Sequence, residues 1–342
     1  MTPKSILIIK TSSLGDIICA LPVLSELHRL YGDAHIAWVV DHRFADLLEG
    51  HPYLQGVYSF VHHKPRAGAD ALAKAAAFIH EISGVVGQIR ERQWDVAIDL
   101  QSAFKSSLIL GRSGAHVRIA EFAGLRHIES LVSATRLVFP HRTHALDRAL
   151  EVAHPLGVDL DDAKFCLWFP DEARSWAADR LSTLPPGPRL VVNPGSARPE
   201  KRWSPSNFGQ AAGALLETGT VGSVILTGAA SDGEAASVIA EGIAQVAAAS
   251  PERLLDLTGQ TTLHQLAAVL DASTTMLTGD TGPMHMMAAL GKPVVAIFGP
   301  SNPATNGPYG EAHVILRGHD GRVAAVSPDE AAAAVTTLLT RG

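Results

Sequence analysis

The chain has 342 residues, more than one hydrophobic core usually holds, so two domains are expected. Apolar residues make up 46% and charged residues 18%, which excludes a disordered chain, and a formal net charge of −6 argues against bulk nucleic-acid binding. The two cysteines, Cys19 and Cys166, exclude a disulfide framework and suit a reducing compartment. No apolar run reaches the roughly 18 residues of a membrane helix, and the start is too short in apolar residues for a signal peptide. A soluble, cytoplasmic protein that can touch a membrane surface is the expectation.

Short β-rich runs alternate with helical stretches along the chain. Residues 6–9, 36–40, 57–61 and 96–100 read as strands, residues 69–92 as an Ala-rich helix, and 104–110 as the start of another. After residues 10–16, Ile17, Ala20, Leu21, Leu24 and Leu27 recur at helical spacing. Pro185-Pro186-Gly187-Pro188 interrupts the pattern, which then restarts. Strands are expected at 189–192, 223–227, near 254–257, 274–278 and 294–298. Helices are expected near 205–217 and at 233–248, 262–271, 283–290 and 327–340. This is an α/β protein with parallel sheets covered on both faces. The boundary is placed near residue 170. Two doubly wound domains facing each other would leave a central cleft, with ligands at the carboxyl ends of the strands.

Four strand-to-helix loops stand out. Lys10-Thr11-Ser12-Ser13-Leu14-Gly15-Asp16 puts a carboxylate at a helix start, where it either caps the helix or faces a ligand as a base. Asn193-Pro194-Gly195-Ser196-Ala197-Arg198-Pro199-Glu200-Lys201-Arg202-Trp203 joins small residues, a hydroxyl and three cations, which suits a phosphate or a solvated basic loop. In Thr227-Gly228-Ala229-Ala230-Ser231-Asp232-Gly233-Glu234, either acid could complement the helix dipole or accept from ribose hydroxyls. Gly279-Asp280-Thr281-Gly282-Pro283-Met284-His285 offers backbone N–H groups at a helix start to an anion, while His285 also reads as a core residue.

Other chemistries lack their signatures. There is no G-x-G-x-x-G, no G-x-x-x-x-G-K-[ST] and no G-x-S-x-G. No His/Cys cluster has zinc spacing, and Cys19 falls on the apolar side of its helix. Within residues 101–148, seven Lys and Arg face three acids, a local basic excess in an acidic chain.

Together these loops resemble the ADP-heptose:lipopolysaccharide heptosyltransferases of glycosyltransferase family 9, and its heptosyltransferase I-like members in particular. The resemblance rests on residues 10–16 with Leu21-Pro22, Asp99-Leu100-Gln101 with Lys105-Ser106, and His144-Ala145-Leu146-Asp147-Arg148. It continues through Lys201-x-Trp203, Gly279-Asp280-Thr281-Gly282-x-x-His285, and Phe298-Gly299-Pro300-Ser301 with Asn302-Pro303, so it covers about residues 4–310.

The resemblance implies a GT-B fold, with an acceptor-binding Rossmann-like domain over 1–170 and an ADP-sugar-binding one over 171–325. The C-terminal helix, within 326–342, would pack back on the first domain. It implies an inverting, metal-independent enzyme with no cofactor, moving heptose from the donor substrate ADP-heptose to the Kdo of Kdo-lipid A at the inner face of the inner membrane. In its terms Asp16 is the general base, and Lys201 with Ser196 holds the diphosphate. Asp232 holds ribose and Asp280 the heptose hydroxyls, while Thr281 and Gly282 supply N–H groups and His285 shapes the loop. Ser12, Ser13, Lys64, Arg66, Lys105, Arg118, Arg126, Arg142 and Arg148 are the candidate acceptor contacts, with a solvated basic face as the other reading of the cations. Two departures are Pro283-Met284, in place of a more usual Leu-Ser pair, and Ala197, where a second hydroxyl is common. The competing readings are a related transferase with another sugar nucleotide or acceptor, a sugar-nucleotide epimerase, and a non-catalytic binding module.

Overall fold

A computed structural model describes residues 2–61, 70–122, 124, 128–161, 164–196, 198–246, 251–319 and 321–340. The chain divides into two compact units, Met1–Cys166 and Leu167–Gly342.

The first unit runs β1 Ser5–Ile9, α1 Leu14–Leu30, β2 His35–Asp41, β3 Gly56–Phe60, α2 Ala71–Ile89, β4 Val96–Asp99, α3 Phe104–Arg112, β5 Val117–Glu121, α4 Ser130–Ser133, β6 Arg136–Val138 and α5 Ala145–Ala153. Its six strands are parallel in the order β3-β2-β1-β4-β5-β6. All five residues of β1 are buried, as expected where helices cover both faces of a parallel sheet. Leu7 and Ile9 join Val39, Val85, Ile89, Trp94 and Ile109 in the core on one face.

The second unit runs α6 Asp171–Leu181, β7 Arg189–Asn193, α7 Pro205–Glu217, β8 Ser223–Leu226, α8 Gly233–Val246, β9 Leu254–Asp256, α9 Leu263–Asp271, β10 Thr275–Gly279, α10 Gly282–Ala289, β11 Val294–Phe298, α11 Pro303–Asn306, β12 His313–Arg317 and α12 Pro328–Thr340. Its strand order, β12-β11-β10-β7-β8-β9, repeats the winding of the first unit. In each sheet the order reverses once, between β1 and β4 and between β7 and β10. A doubly wound sheet opens a crevice at that point, beyond the carboxyl ends of its strands.

Most predicted elements lie within a few residues of those observed. β5, β6 and β12 are additional strands, while α4, α5, α6 and α11 are additional helices. In α12, Ala331, Ala334 and Val335 are buried in the second unit's own core with Trp203 and Phe208.

Helices α7 and α8 meet at glycines. A Cβ on Gly209 would lie 2.8 Å from the Ile239 carbonyl oxygen and 3.0 Å from Gly242 Cα. Gly209→Ala would gain about 1 kcal/mol in helix propensity but force two backbones apart, at about 1–3 kcal/mol. The expected outcome is a net loss of about 1 kcal/mol, read from the denaturant midpoint. A gain in stability would show that the close approach does not constrain the packing.

Candidate functional site

In the first unit the loop after β1 and the turn after β4 flank the reversal. Asp16 is the third residue of α1. Its Oδ2 accepts from the Ser13 N–H and the Ser13 hydroxyl, both at 2.8 Å, the arrangement of a helix-capping acid. Its Oδ1 lies 3.9 Å from Lys10 Nζ, and its side chain remains 38% exposed. The cap and the ligand-facing carboxylate are therefore compatible, because each uses a different oxygen. Lys10 is itself held by a 2.8 Å bond to the Leu100 carbonyl.

The turn after β4 is anchored on Asp99, which is fully buried. Its Oδ1 accepts from the Gln101 N–H at 2.9 Å and the Ser102 N–H at 3.2 Å, and its Oδ2 from the Ser106 hydroxyl at 2.8 Å. Burial pushes the Asp99 carboxyl up to about 6, against those hydrogen bonds and the Lys10 charge, which pull it down. Gln101 then reaches across the reversal, and its Oε1 accepts from the Thr11 and Ser12 N–H groups at 3.0 Å each. Ser102 has φ +53°, a left-handed conformation uncommon outside glycine. Its hydroxyl donates to Glu121, which also takes the Arg148 guanidinium.

The basic candidates are less available than their number suggests. Arg148 is paired with Glu121, and Lys105 lies 2.5 Å from the buried Glu81 and 4.9 Å from the Phe60 ring. Arg118 is bonded to the Ser133 and Ala115 carbonyls, and Arg142 to Asp161 and the Leu160 carbonyl. Ser12 is half-buried and Ser13 exposed. Lys64, Arg66 and Arg126 lie outside the described residues.

In the second unit the loops after β7 and β10 flank the other reversal. Lys201 Nζ lies 2.6 Å from Asp280 Oδ2, and the Ser301 hydroxyl donates to the same oxygen at 2.6 Å. Both ends of the ion pair are largely covered, with 21% and 10% of the side chains exposed. Trp203, two residues on, is buried and donates from Nε1 to the Val326 carbonyl at 3.0 Å, which ties the Lys201 loop to the core.

Thr281 caps α10, with its hydroxyl 3.4 Å from the Met284 N–H and 3.1 Å from the Thr278 hydroxyl. Gly282 and Pro283 then open the helix, so Pro283 occupies a position where the missing N–H has no helical role. His285 is buried. Ser196 is half-buried, and its carbonyl accepts from Arg202 Nε at 2.9 Å. Ala197 lies outside the described residues.

Asp232 is buried and accepts from the Ala229 N–H at 3.0 Å. A Cβ on Gly195 would stand 2.8 Å from its Oδ2, and one on Gly228 3.1 Å. The small residues of these loops therefore make room for a protein carboxylate. Glu234 is exposed in the first turn of α8.

Sequence reasoning missed the anchoring acids Glu81 and Glu121, and it picked out Asp99 only as part of the Asp99-Leu100-Gln101 segment, without its anchoring role. Asp99 and Glu121 are the last residues of β4 and β5, so an acid closing an apolar run was the available signal. Glu81, inside a helix and distant in sequence from its lysine, had none.

Two units of parallel six-stranded sheet, each wound in the same order, match the GT-B fold of solved heptosyltransferases. Residues 83–332 match glycosyltransferase family 9 (heptosyltransferase), and the chain belongs to that family. It is 30% identical over 322 residues to the lipopolysaccharide heptosyltransferase 1 of Pseudomonas aeruginosa, covering 91% of this chain and 83% of that protein. The structure of the Escherichia coli heptosyltransferase WaaC with ADP aligns with a TM-score of 0.75 and 25% identity, over 95% of this chain and 97% of that one. A family 9 glycosyltransferase from Veillonella parvula aligns with a TM-score of 0.82 at 23% identity, over 99% and 98%, a likeness of fold. No helix among the described residues is long and apolar enough to cross a membrane.

The raised Asp99 carboxyl has a consequence for stability. The folded state holds this proton more tightly than the unfolded chain, so Asp99 favours folding below about pH 4 and loses that contribution as pH rises through about 6. Asn at this position keeps an acceptor for the two N–H groups and can donate to Ser106. Asp99→Asn should therefore gain on the wild type by on the order of 1–2 kcal/mol between pH 4.5 and 7.5. Urea unfolding at the two pH values reads the difference, and a constant gap would mean that Asp99 is ionised throughout.

Proposed function

We propose that this glycosyltransferase moves L-glycero-D-manno-heptose from ADP-heptose to the Kdo of the lipopolysaccharide inner core, with inversion and without a metal or other cofactor. The observation that carries the reading is the arrangement at Asp16. One carboxylate oxygen is fixed by Ser13, and the other lies beside Lys10, on a side chain that is partly exposed. The resemblance to lipopolysaccharide heptosyltransferase 1 along most of the chain supports the choice of sugar and acceptor. The site of action would be the cytoplasm, peripheral to the inner face of the inner membrane, where a lipid-linked acceptor is presented.

On this reading Asp16 Oδ1 takes the proton of the attacking Kdo hydroxyl. That oxygen forms a bond to the anomeric carbon as the bond to the diphosphate breaks, and ADP leaves with the electron pair. Lys201 has three hydrogens, of which Asp280 takes one, so the ammonium can also meet the departing diphosphate. The N–H groups at the start of α10, near Thr281 and Gly282, add to that stabilisation. Asp280, oriented by Lys201 and Ser301 through Oδ2, offers Oδ1 to a sugar hydroxyl. Ser196 would contribute a phosphate contact, and His285 would keep the loop in shape from the core. Asp232 would receive the ribose at the loop after β8. Ser12 and Ser13 line the base, and Arg148 and Lys105 would meet acceptor anions by sharing charge already paired to Glu121 and Glu81.

The test is an assay of ADP-heptose with Kdo₂-lipid A, reading ADP release and product mass. Asp16→Ala should lower transfer by at least roughly 100-fold while donor affinity, from calorimetry, stays within about twofold of the wild type. Normal turnover in that variant would remove Asp16 as the base. Lys201→Ala should weaken donor binding and rate together, because it strips charge from the leaving group and leaves Asp280 unpaired. Turnover with another sugar nucleotide or acceptor, but none with this pair, would identify a different specificity within the family.

A further inference from the structure

The β1–α1 loop that presents Asp16 has a problem of its own. The Thr11 and Ser12 N–H groups fall between the end of the sheet and the first hydrogen bond of α1, and Thr11 is buried. Such donors cost free energy unless something accepts from them. One atom answers both, Gln101 Oε1, at 3.0 Å from each nitrogen. Two converging donors require the oxygen, not the NH₂, of the side-chain amide at that point. The clamp is itself held from behind, since the Gln101 N–H is bonded to buried Asp99, whose other oxygen is bonded to Ser106. The carbonyl of Leu100 takes Lys10 in the same turn.

We propose that Gln101 is a positioning residue for the reaction, fixing the Thr11–Ser12 backbone so that Ser13 and Lys10 hold the Asp16 carboxylate in its working orientation. This rests on the reading of Asp16 as the base. Gln101 does not touch the reacting atoms. Its side chain bridges the sheet reversal, from the end of β4 to the loop after β1, and the Asp16 carboxylate is held by Ser13, the residue just beyond that bridge. An amide suits the place because it accepts twice without adding a charge beside Asp16 and Asp99. A carboxylate would accept equally well but repel both.

The test compares Gln101→Met, which keeps the length but removes the acceptor, with Gln101→Glu, which keeps the acceptor. Amide hydrogen exchange at Thr11 and Ser12, followed without substrate, measures the clamp. Exchange in Gln101→Met should be at least roughly tenfold faster at these two amides, with distant amides and the melting temperature little changed, and Gln101→Glu should keep the wild-type protection. In the transfer assay Gln101→Met should lose roughly 10- to 100-fold in kcat with the donor KM near the wild type, and Gln101→Glu, which keeps the acceptor but adds a charge beside Asp16, should recover only part of that loss. Unchanged exchange at Thr11 and Ser12 in Gln101→Met would overturn the clamp. Faster exchange with unchanged kcat would overturn its part in the reaction. If Gln101→Met fails to fold, Gln101→Glu decides, since protection retained with part of the rate supports the proposal and protection lost overturns it. Absence of transfer by the wild-type protein would count against the assigned substrates and leave the exchange result standing.

Discussion

Burial of the sheets on both faces is the constraint from which the rest follows. A parallel strand with helices above and below has no wet side, so β1, β10 and β11 are buried throughout. Polar side chains are pushed to the strand ends, and useful ones collect where neighbouring loops diverge, at the reversal of strand order. Asp16 and Gln101 come from the two loops flanking one reversal, and Lys201 and Asp280 from the two flanking the other. The fold thus selects where chemistry can occur before any residue specifies what it is.

The same burial governs the charges. A partly covered ion at a strand end needs a partner, and the partner comes from another element. Lys105 on α3 is matched by Glu81 on α2, Arg148 on α5 by Glu121 of β5, and Lys201 by Asp280. A count over residues 101–148 finds a basic excess, but Glu81 lies outside that window and compensates from a distance. Local charge counts therefore overstate the field that an acidic acceptor would meet.

The central strands and long helices were legible because their signal is local. An apolar run such as Val-Val-Ala-Ile-Phe at 294–298 admits few other readings. β5, β6 and β12 were not, and the reason is physical. β6 and β12 are edge strands, β6 has only three residues, and Val117 and Ile315 are exposed, so the continuous apolar run of a central strand is absent. In the site, the motif loops revealed which residues gather at the strand ends but not what each touches. The small residues of the 193–203 loop, Gly195 among them, read as room for a phosphate, while the structure sets Asp232 against Gly195 and Gly228. Asp16 looked like a choice between cap and ligand-facing acid. The structure shows that the cap uses Oδ2 alone, with Oδ1 beside Lys10, so the two readings do not exclude each other.

The two reversals are bridged by different chemistry, and the difference fits what each half is proposed to do. Around Asp16 the bridge is a neutral amide, Gln101, with its own support buried behind it. A charged bridge there would shift the proton affinity of the base. Across the second reversal the bridge is an ion pair, Lys201 with Asp280, steadied by Ser301. A half that must receive a diphosphate gains from a cation already desolvated and aimed, because little reorganisation is then needed when negative charge develops on the leaving group. On the proposed reading, one winding, used twice, would carry a proton acceptor in one copy and an anion receptor in the other, with a different bridging side chain at each reversal.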